Sequence, residues 1–428
     1  MARRALQFIP HEPLSLTVTM RAACAGVPCT ATETCRDGRC VGAGIVNPDD
    51  CIDGCDDGSL GGTKSLSLPG CGDLSGLQAG SPWPTSGGCP TRTDRSPFRV
   101  PDQPTKLWSS DHGLQHAPCI AADGTVYAVQ TYTPSGLYAL DPKTGDALWN
   151  VETNTETHSG CAVGDDGAIY FGSTAGTLYA VEPDGALRWE AKLGDGMLGN
   201  PVVAGNGLVM AGGDSGIFAA RPASGDLVWS FETSSVRANG PTLGVDGTVY
   251  FVSSASSLVA LDPDDGSVRF ESAPLATGEF AWDHAVIAAP DGTVYVGGTD
   301  AFALDGSDGT LLWSQPAGAA SNLAPPALSP DGRHLLLRTS DLVSFDARSG
   351  KEEWRLALGE GGGVVIDGAS RAYATSYADT NLSVVDVGSG DVIEQVDLGS
   401  NAETESAIGA DGTLYATTVD GWLVAVGR

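Results

Sequence analysis

The word Asp-Gly-Thr-Val-Tyr, followed by Leu-Tyr-Ala-Leu-Asp and then Gly-x-x-x-Trp, returns along this chain with a period of about forty residues. Its first copy runs Asp123-Gly124-Thr125-Val126-Tyr127, Leu137-Tyr138-Ala139-Leu140-Asp141, Gly145 and Trp149. Later Asp-Gly or Asn-Gly turns fall at Asp166, Asn206, Asp246, Asp291, Asp331, Asp367 and Asp411. A repeat of this length that holds only strand signals fixes the architecture before any chemistry is considered. The Asp-Gly pair suits a tight hairpin, because type I′ geometry needs positive φ at both central residues. Thr-Val-Tyr-Val after it has the β-branched and aromatic make-up of a strand. A third strand such as Leu258-Val259-Ala260-Leu261 follows, then an Asp-Pro-x-x-Gly turn and a fourth strand carrying an aromatic. No segment shows the 3.6-residue apolar period of a long amphipathic helix.

One four-stranded sheet cannot bury both faces alone, whereas radially stacked sheets bury each other. The expected fold is all-β, an eight-bladed β-propeller of four-stranded antiparallel blades over residues 104–428. First, second and third strands each occur eight times, the last third strand being Leu423-Val424-Ala425-Val426. Its fourth strand is missing there, and a spare one, Lys106-Leu107-Trp108, stands about one repeat ahead of Trp149. The N-terminal strand is therefore expected to complete the last blade. Seven blades would leave one copy unpaired.

The aromatic series runs Trp108, Trp149, Trp189, Trp229, Phe270, Trp313, Trp354, and then fails at Glu394. The words Ala139-x-Asp141-x-x-x-Gly145-x-x-x-Trp149, Ala260-x-Asp262-x-x-x-Gly266 with Phe270, and Ala303-x-Asp305-x-x-x-Gly309 with Trp313 resemble the tryptophan-docking motif of quinoprotein-type (PQQ-like) propellers. Ser344-x-Asp346-x-x-x-Gly350 with Trp354 is a near copy. Upstream, Trp83-Pro84-Thr85-Ser86-Gly87-Gly88-Cys89-Pro90-Thr91-Arg92-Thr93 resembles the segment that introduces such propellers. The resemblance spans roughly residues 80 to 428. It implies that the indoles wedge between neighbouring blades, a packing contribution of about 2–3 kcal/mol each. A row of aromatic ligand platforms is the competing reading.

Charge is strongly acidic, with 23 Lys+Arg against 53 Asp+Glu and a net of −30. Two turns per repeat each take an aspartate, which accounts for much of it. No basic stripe exists, so nucleic acid is not an expected partner. No run of 18 or more apolar residues offers a membrane-spanning helix.

Cysteines divide the chain. Cys24, Cys29, Cys35, Cys40, Cys51, Cys55, Cys71 and Cys89 precede the repeats, and Cys119 and Cys161 lie within them. All ten are disulfide candidates. Residues 24–57 read as a small disulfide module, since a Gly/Asp-rich stretch without a core needs covalent staples. Zinc is the rival, although no Cys-x-x-Cys pair or His occurs there. Such cysteine usage implies an oxidising compartment, and so a secreted, periplasmic or cell-surface protein. Residues 1–23 read as a residual or mis-started export segment, because Leu6 to Ile9 is too short for a secretory apolar core. Residues 58–103 read as a Gly/Ser/Pro-rich tether. The nearby Asp49, Asp50, Asp53, Asp56 and Asp57 could hold calcium, but turn-forming aspartates in a solvated linker fit as well.

The most site-like constellation is His116-Ala117-Pro118-Cys119 with His158-Ser159-Gly160-Cys161. Both words enter first strands of adjacent repeats. His284 and Asn239 hold the same offset before Asp291 and Asp246. First strands line the channel of a propeller, so these side chains would ring one mouth, where imidazole and thiolate could bind zinc or copper. The alternatives are turn hydrogen bonding, a disulfide between Cys119 and Cys161, or pairing of one of them with Cys89.

The resemblance also raises a quinone-dependent dehydrogenase. Such enzymes resemble this repeat but carry adjacent cysteines above their cofactor, and no Cys-Cys pair occurs here. No Gly-x-Ser-x-Gly elbow, His-Glu-x-x-His or phosphate loop is present either. The expected function is a non-enzymatic, exported scaffold of the bacterial cell envelope or surface that binds a protein through one propeller face as a monomer. No cofactor is expected; calcium or zinc is the open exception. The alternatives are a quinone- or metal-dependent oxidoreductase and a glycan-binding propeller. The PQQ-like repeat proteins that this chain resembles include an outer-membrane assembly lipoprotein.

Overall fold

A computed structural model describes residues 33–36, 39–42, 68, 70–132, 134–233, 240–275, 285–318, 325–359 and 361–428. The chain divides into two units, Met1–Ser67 and Leu68–Arg428. In the first, strands Glu33–Arg36 and Arg39–Gly42 form a hairpin that sets Cys35 opposite Cys40. The side chains of Cys24, Cys29, Cys35, Cys40, Cys51 and Cys55, and the aspartates from Asp49 to Asp57, lie outside the described residues, as do Asn239 and His284.

The second unit is an eight-bladed propeller. Eight separate four-stranded antiparallel sheets follow one another in chain order. Blade 1 runs from the channel outward through Cys119–Ile120, Val126–Gln130, Ser135–Leu140 and Ala147–Thr153. Blades 2 to 7 begin at Cys161–Val163, Val202–Val203, Thr242–Leu243, Ala285–Ala288, Ala327–Leu328 and Val364–Ile366. Blade 8 takes three strands from the C-terminal end, Ala402–Ile408, Leu414–Thr418 and Trp422–Gly427. Its fourth is Thr105–Asp111, which pairs antiparallel with Trp422–Gly427. The ring thus closes by the strand exchange that the repeat arithmetic requires.

Apolar cores lie between blades rather than inside them. One cluster joins Val129, Leu137 and Tyr127 of blade 1 to Ile169 and Phe171 of blade 2. Corresponding clusters fill the later seams, and the largest joins blades 7, 8 and 1 through Tyr373, Tyr415, Val424 and Val126. Each indole of the series from Trp108 to Trp354 serves one of these seams. Trp108 tilts against Tyr415 within blade 8 at 5.8 Å between ring centres. Its indole N–H donates to the Pro142 carbonyl of blade 1 at 3.0 Å. Beneath the ring is Gly145 at φ +75°, where an added Cβ would sit 2.4 Å from the indole. The same donor–carbonyl contact recurs from Trp149 to Pro183, Trp189 to Pro222, Trp229 to Pro263, Trp313 to Ala347 and Trp354 to Val387.

The segment read as a tether up to residue 103 is corrected from Leu68 onward. From Gly70 it crosses the Asp-Gly turns backward: Gly70 packs against Pro290 of blade 5, Gly72 against Val245 of blade 4, and the Ser75 hydroxyl donates to Gly205 of blade 3. It then enters the channel and runs forward round the ring. Trp83 pairs with Ile120 of blade 1, and the Pro84 carbonyl accepts from Val163 of blade 2. Arg92 reaches the Asn200 carbonyl of blade 3 at 2.9 Å. Pro90, Thr91, Thr93 and Asp94 accept backbone N–H groups of Leu243, Ala288, Leu328 and Ile366 in blades 4, 5, 6 and 7. The physical reason is that the last residues of the inner strands leave N–H groups facing the axis, six of which bond to this segment, and buried donors need acceptors. A polar segment rich in Gly and Pro can follow so tight a circle and supply them. Residues 81–94 are buried throughout.

Candidate functional site

Each blade sends its first strand toward the face of the Asp-Gly turns and returns on its second. One face therefore holds the 1–2 and 3–4 turns, and the other holds the strand entries and inter-blade connections. The segment 81–96 closes the channel beside the turn face. The sequence-predicted residues sit at the other end, the entry mouth.

Cys119 and Cys161, fully buried, form a disulfide between the innermost strands of blades 1 and 2, with Cα atoms 5.8 Å apart. This settles the choice left open between metal and disulfide for these two: the sulfurs are bonded to each other, and a disulfide sulfur is not a thiolate ligand. Cys89 pairs instead with Cys71. That bond ties the backward lap of the N-terminal segment to its forward lap where both pass blades 4 and 5.

Three residues before each blade-linking cysteine stands a histidine. The rings of His116 and His158 lie 5.5 Å apart, edge to face. His116 Nε2 is buried and has no hydrogen-bond partner among the described residues. Burial, with the neighbouring His158 adding to it, pushes the His116 imidazole down to about 3, so it is neutral at ordinary pH. His158 Nε2 stands 3.9 Å from Glu156 Oε2. The ring of Tyr132, 57% exposed, meets His158 edge-on at 6.1 Å. Among the described residues, no group of three His, Cys, Asp or Glu side chains already converges on a point that could hold a metal.

Two neighbours of this mouth carried no sequence signal. Asn200 accepts the Gly160 N–H at 2.5 Å through Oδ1 and donates to Ser86 at 3.0 Å through Nδ2, joining the entry loop of blade 2 to the channel segment. Arg338, 2% exposed, donates to the carbonyls of Thr375, Thr339 and Gly359, and burial lowers its guanidinium to about 10. A lone Asn or Arg has no periodicity by which to be noticed.

The residues present do not fit a quinone–calcium pair. The cysteines nearest the mouth are separated by 42 residues and buried between blades, not adjacent above a cofactor. No carboxylate cluster suited to calcium stands in the described channel.

Blade count, N-terminal closure and indole-on-glycine seams together define a quinoprotein-type propeller. The sequence profile described as outer membrane protein assembly factor BamB matches residues 133–279 and 272–427, and the chain belongs to that family. The outer membrane protein assembly factor BamB of Burkholderia pseudomallei is 26% identical over 233 residues, which is 50% of this chain and 59% of that protein. A quinoprotein ethanol dehydrogenase of Pseudomonas aeruginosa is 27% identical over 284 residues, 58% of this chain and 42% of that one. This chain thus spans less than two thirds of the length of either relative. The crystal structure of BamB from Moraxella catarrhalis superposes with a TM-score of 0.62 at 18% identity, covering 76% of this chain and 100% of that one. That last likeness is one of fold.

Proposed function

We propose that this chain is a non-enzymatic, protein-binding propeller of the bacterial cell envelope that serves outer-membrane protein assembly. The observation that carries the reading is the closed channel. Segment 81–96, buried from Ser81 to Asp94, lines the axis at the turn face with the chain's own backbone, so the propeller would work as a disc rather than a conduit. Family membership supplies the process, and the two buried disulfides support an oxidising compartment. The partner would dock on the entry face, where the inter-blade connections vary in length and the turn between the second and third strands of blade 1 sets Tyr132 beside His158. The turn face is less suited, because its aspartates are engaged in their own turns, as Asp123 is with Thr125 and Asp291 with Thr293. The disc would act as a single copy, its rim strands carrying scattered rather than pooled apolar side chains.

A photo-crosslinking residue placed at Tyr132 in the source organism should capture a discrete envelope protein, and one placed at Asp291 should not. Deletion of the gene should lower the level of outer-membrane β-barrel proteins. Unchanged barrel levels, together with no adduct at Tyr132, would remove the proposal.

A further inference from the structure

We propose that His116 and His158 form a transition-metal site at the entry mouth, two imidazole ligands for one ion of the zinc or copper class. The inference stands apart from the partner reading and does not need it.

The two histidines occupy the same position in adjacent blades, each three residues before a cysteine of the Cys119–Cys161 bond. That covalent link fixes the spacing of the strands from which both side chains rise. Two imidazoles whose Nε2 atoms share one tetrahedral ion at about 2.1 Å have ring centres about 5 Å apart. The observed separation is 5.5 Å. The ring separation is thus the one that two imidazoles on a single ion require.

An unsatisfied atom points the same way. A buried polar nitrogen without a partner costs about 1–3 kcal/mol, and His116 Nε2 is in that position among the described residues. Ligation to a metal removes the deficit. Glu156 Oε2, 3.9 Å from His158 Nε2, places a negative charge beside the pair.

The donor set selects the ion. Neutral imidazole suits zinc, copper and nickel, whereas calcium and magnesium take oxygen ligands. The sulfurs beneath are already bonded together and do not compete.

The test uses the untagged, oxidised protein stripped with a chelator and then titrated with Cu2+ or Co2+, following heat release and the d–d absorption band. One ion per chain is expected, with a ligand-field spectrum of nitrogen coordination. His158→Gln and His116→Gln should each weaken binding by about tenfold or more, and His112→Gln and His334→Gln should leave it unchanged. His158, the more exposed of the pair at 32% of its side chain, keeps the test alive if His116→Gln folds poorly. Absence of saturable binding, or equal affinity in wild type and His158→Gln, overturns the proposal.

Discussion

The indole of Trp354 lies on Gly390 of the next blade, where a Cβ would approach the ring to 2.6 Å, and its N–H donates to Val387. The next residue in the series is Glu394, and the seam it faces explains it. The receiving glycine always belongs to the hairpin between third and fourth strands. Blade 8 has no such hairpin, because its fourth strand, Thr105–Asp111, comes from the other end of the sequence. An indole there would have nothing to dock on. Instead, the chain around Arg99 and Val100 covers this seam: Arg371 donates to the Val100 carbonyl and pairs with Asp102 and Asp367.

Gly390→Ala should therefore destabilise the propeller by about 1–3 kcal/mol, through both the positive φ of +76° and the clash with Trp354. Gly207→Ala, at φ +83° with nothing within 4 Å, should cost only the backbone term, about 1 kcal/mol. Glu394→Trp should change stability by less than about 0.5 kcal/mol. Thermal unfolding of the three variants reads the order directly, and equal costs for the two glycines would contradict the docking role.

The Cys71–Cys89 bond closes 18 residues and holds the two laps of the N-terminal segment together. Cys71→Ser with Cys89→Ser should lower stability by about 3 kcal/mol, and loss of Cys119–Cys161, across 42 residues, by about 4 kcal/mol. The first change should act locally. Amide exchange should quicken at Leu243, Ala288 and Leu328, whose N–H groups bond to that segment, before the outer strands respond. Trp83→Ala, at a site with no exposure, should cost about 3–5 kcal/mol.

Arg338 spans the seam between blades 6 and 7 with three carbonyl acceptors. Arg338→Lys keeps the charge but cannot reach all three, so a loss of about 2–4 kcal/mol is expected in denaturant unfolding. Arg338→Met, which removes the charge and leaves the carbonyls unpaired, should cost a similar amount. A cost near zero for Lys would mean that position, not fork geometry, is what matters.

His116 gives the stability a defined pH dependence. Its folded-state value, about 3, lies below the ordinary imidazole value of 6.5. Between these two, the unfolded chain binds a proton that the folded chain does not, so stability falls as pH falls from about 6.5 toward 3. Above 6.5 the group contributes nothing. Carboxylates that the fold holds below their usual range, such as Asp331, add their own loss at the acid end. The check is thus the difference between wild type and His116→Gln, whose melting temperature should decline less between pH 6.5 and 4. Parallel declines would show that the imidazole accepts a proton in place.

Blade number, strand identity and the closing strand were legible in the sequence because each is a local matter. An Asp-Gly pair imposes its turn, and Thr-Val-Tyr its strand, wherever they stand, so eight copies report eight blades. The site was half legible. His116 and His158 could be found because they depart from the repeat at a fixed offset, but bonding between Cys119 and Cys161 depends on how near two strands come. Segment 81–96 reads as a tether in sequence because it has no period and its hydrogen-bond partners lie up to hundreds of residues away.

The sequence by itself determined a ring of eight four-stranded blades, sealed by its own first strand and spaced by indoles on glycines. Only the tertiary structure decided that the axis of that ring is filled, in which order the filling segment visits the blades, and which cysteines meet. Turns and strands follow from forces within a few residues. Occupation of the channel follows from inner-strand N–H groups that face one another across the axis, and those groups have no common position until the ring has closed.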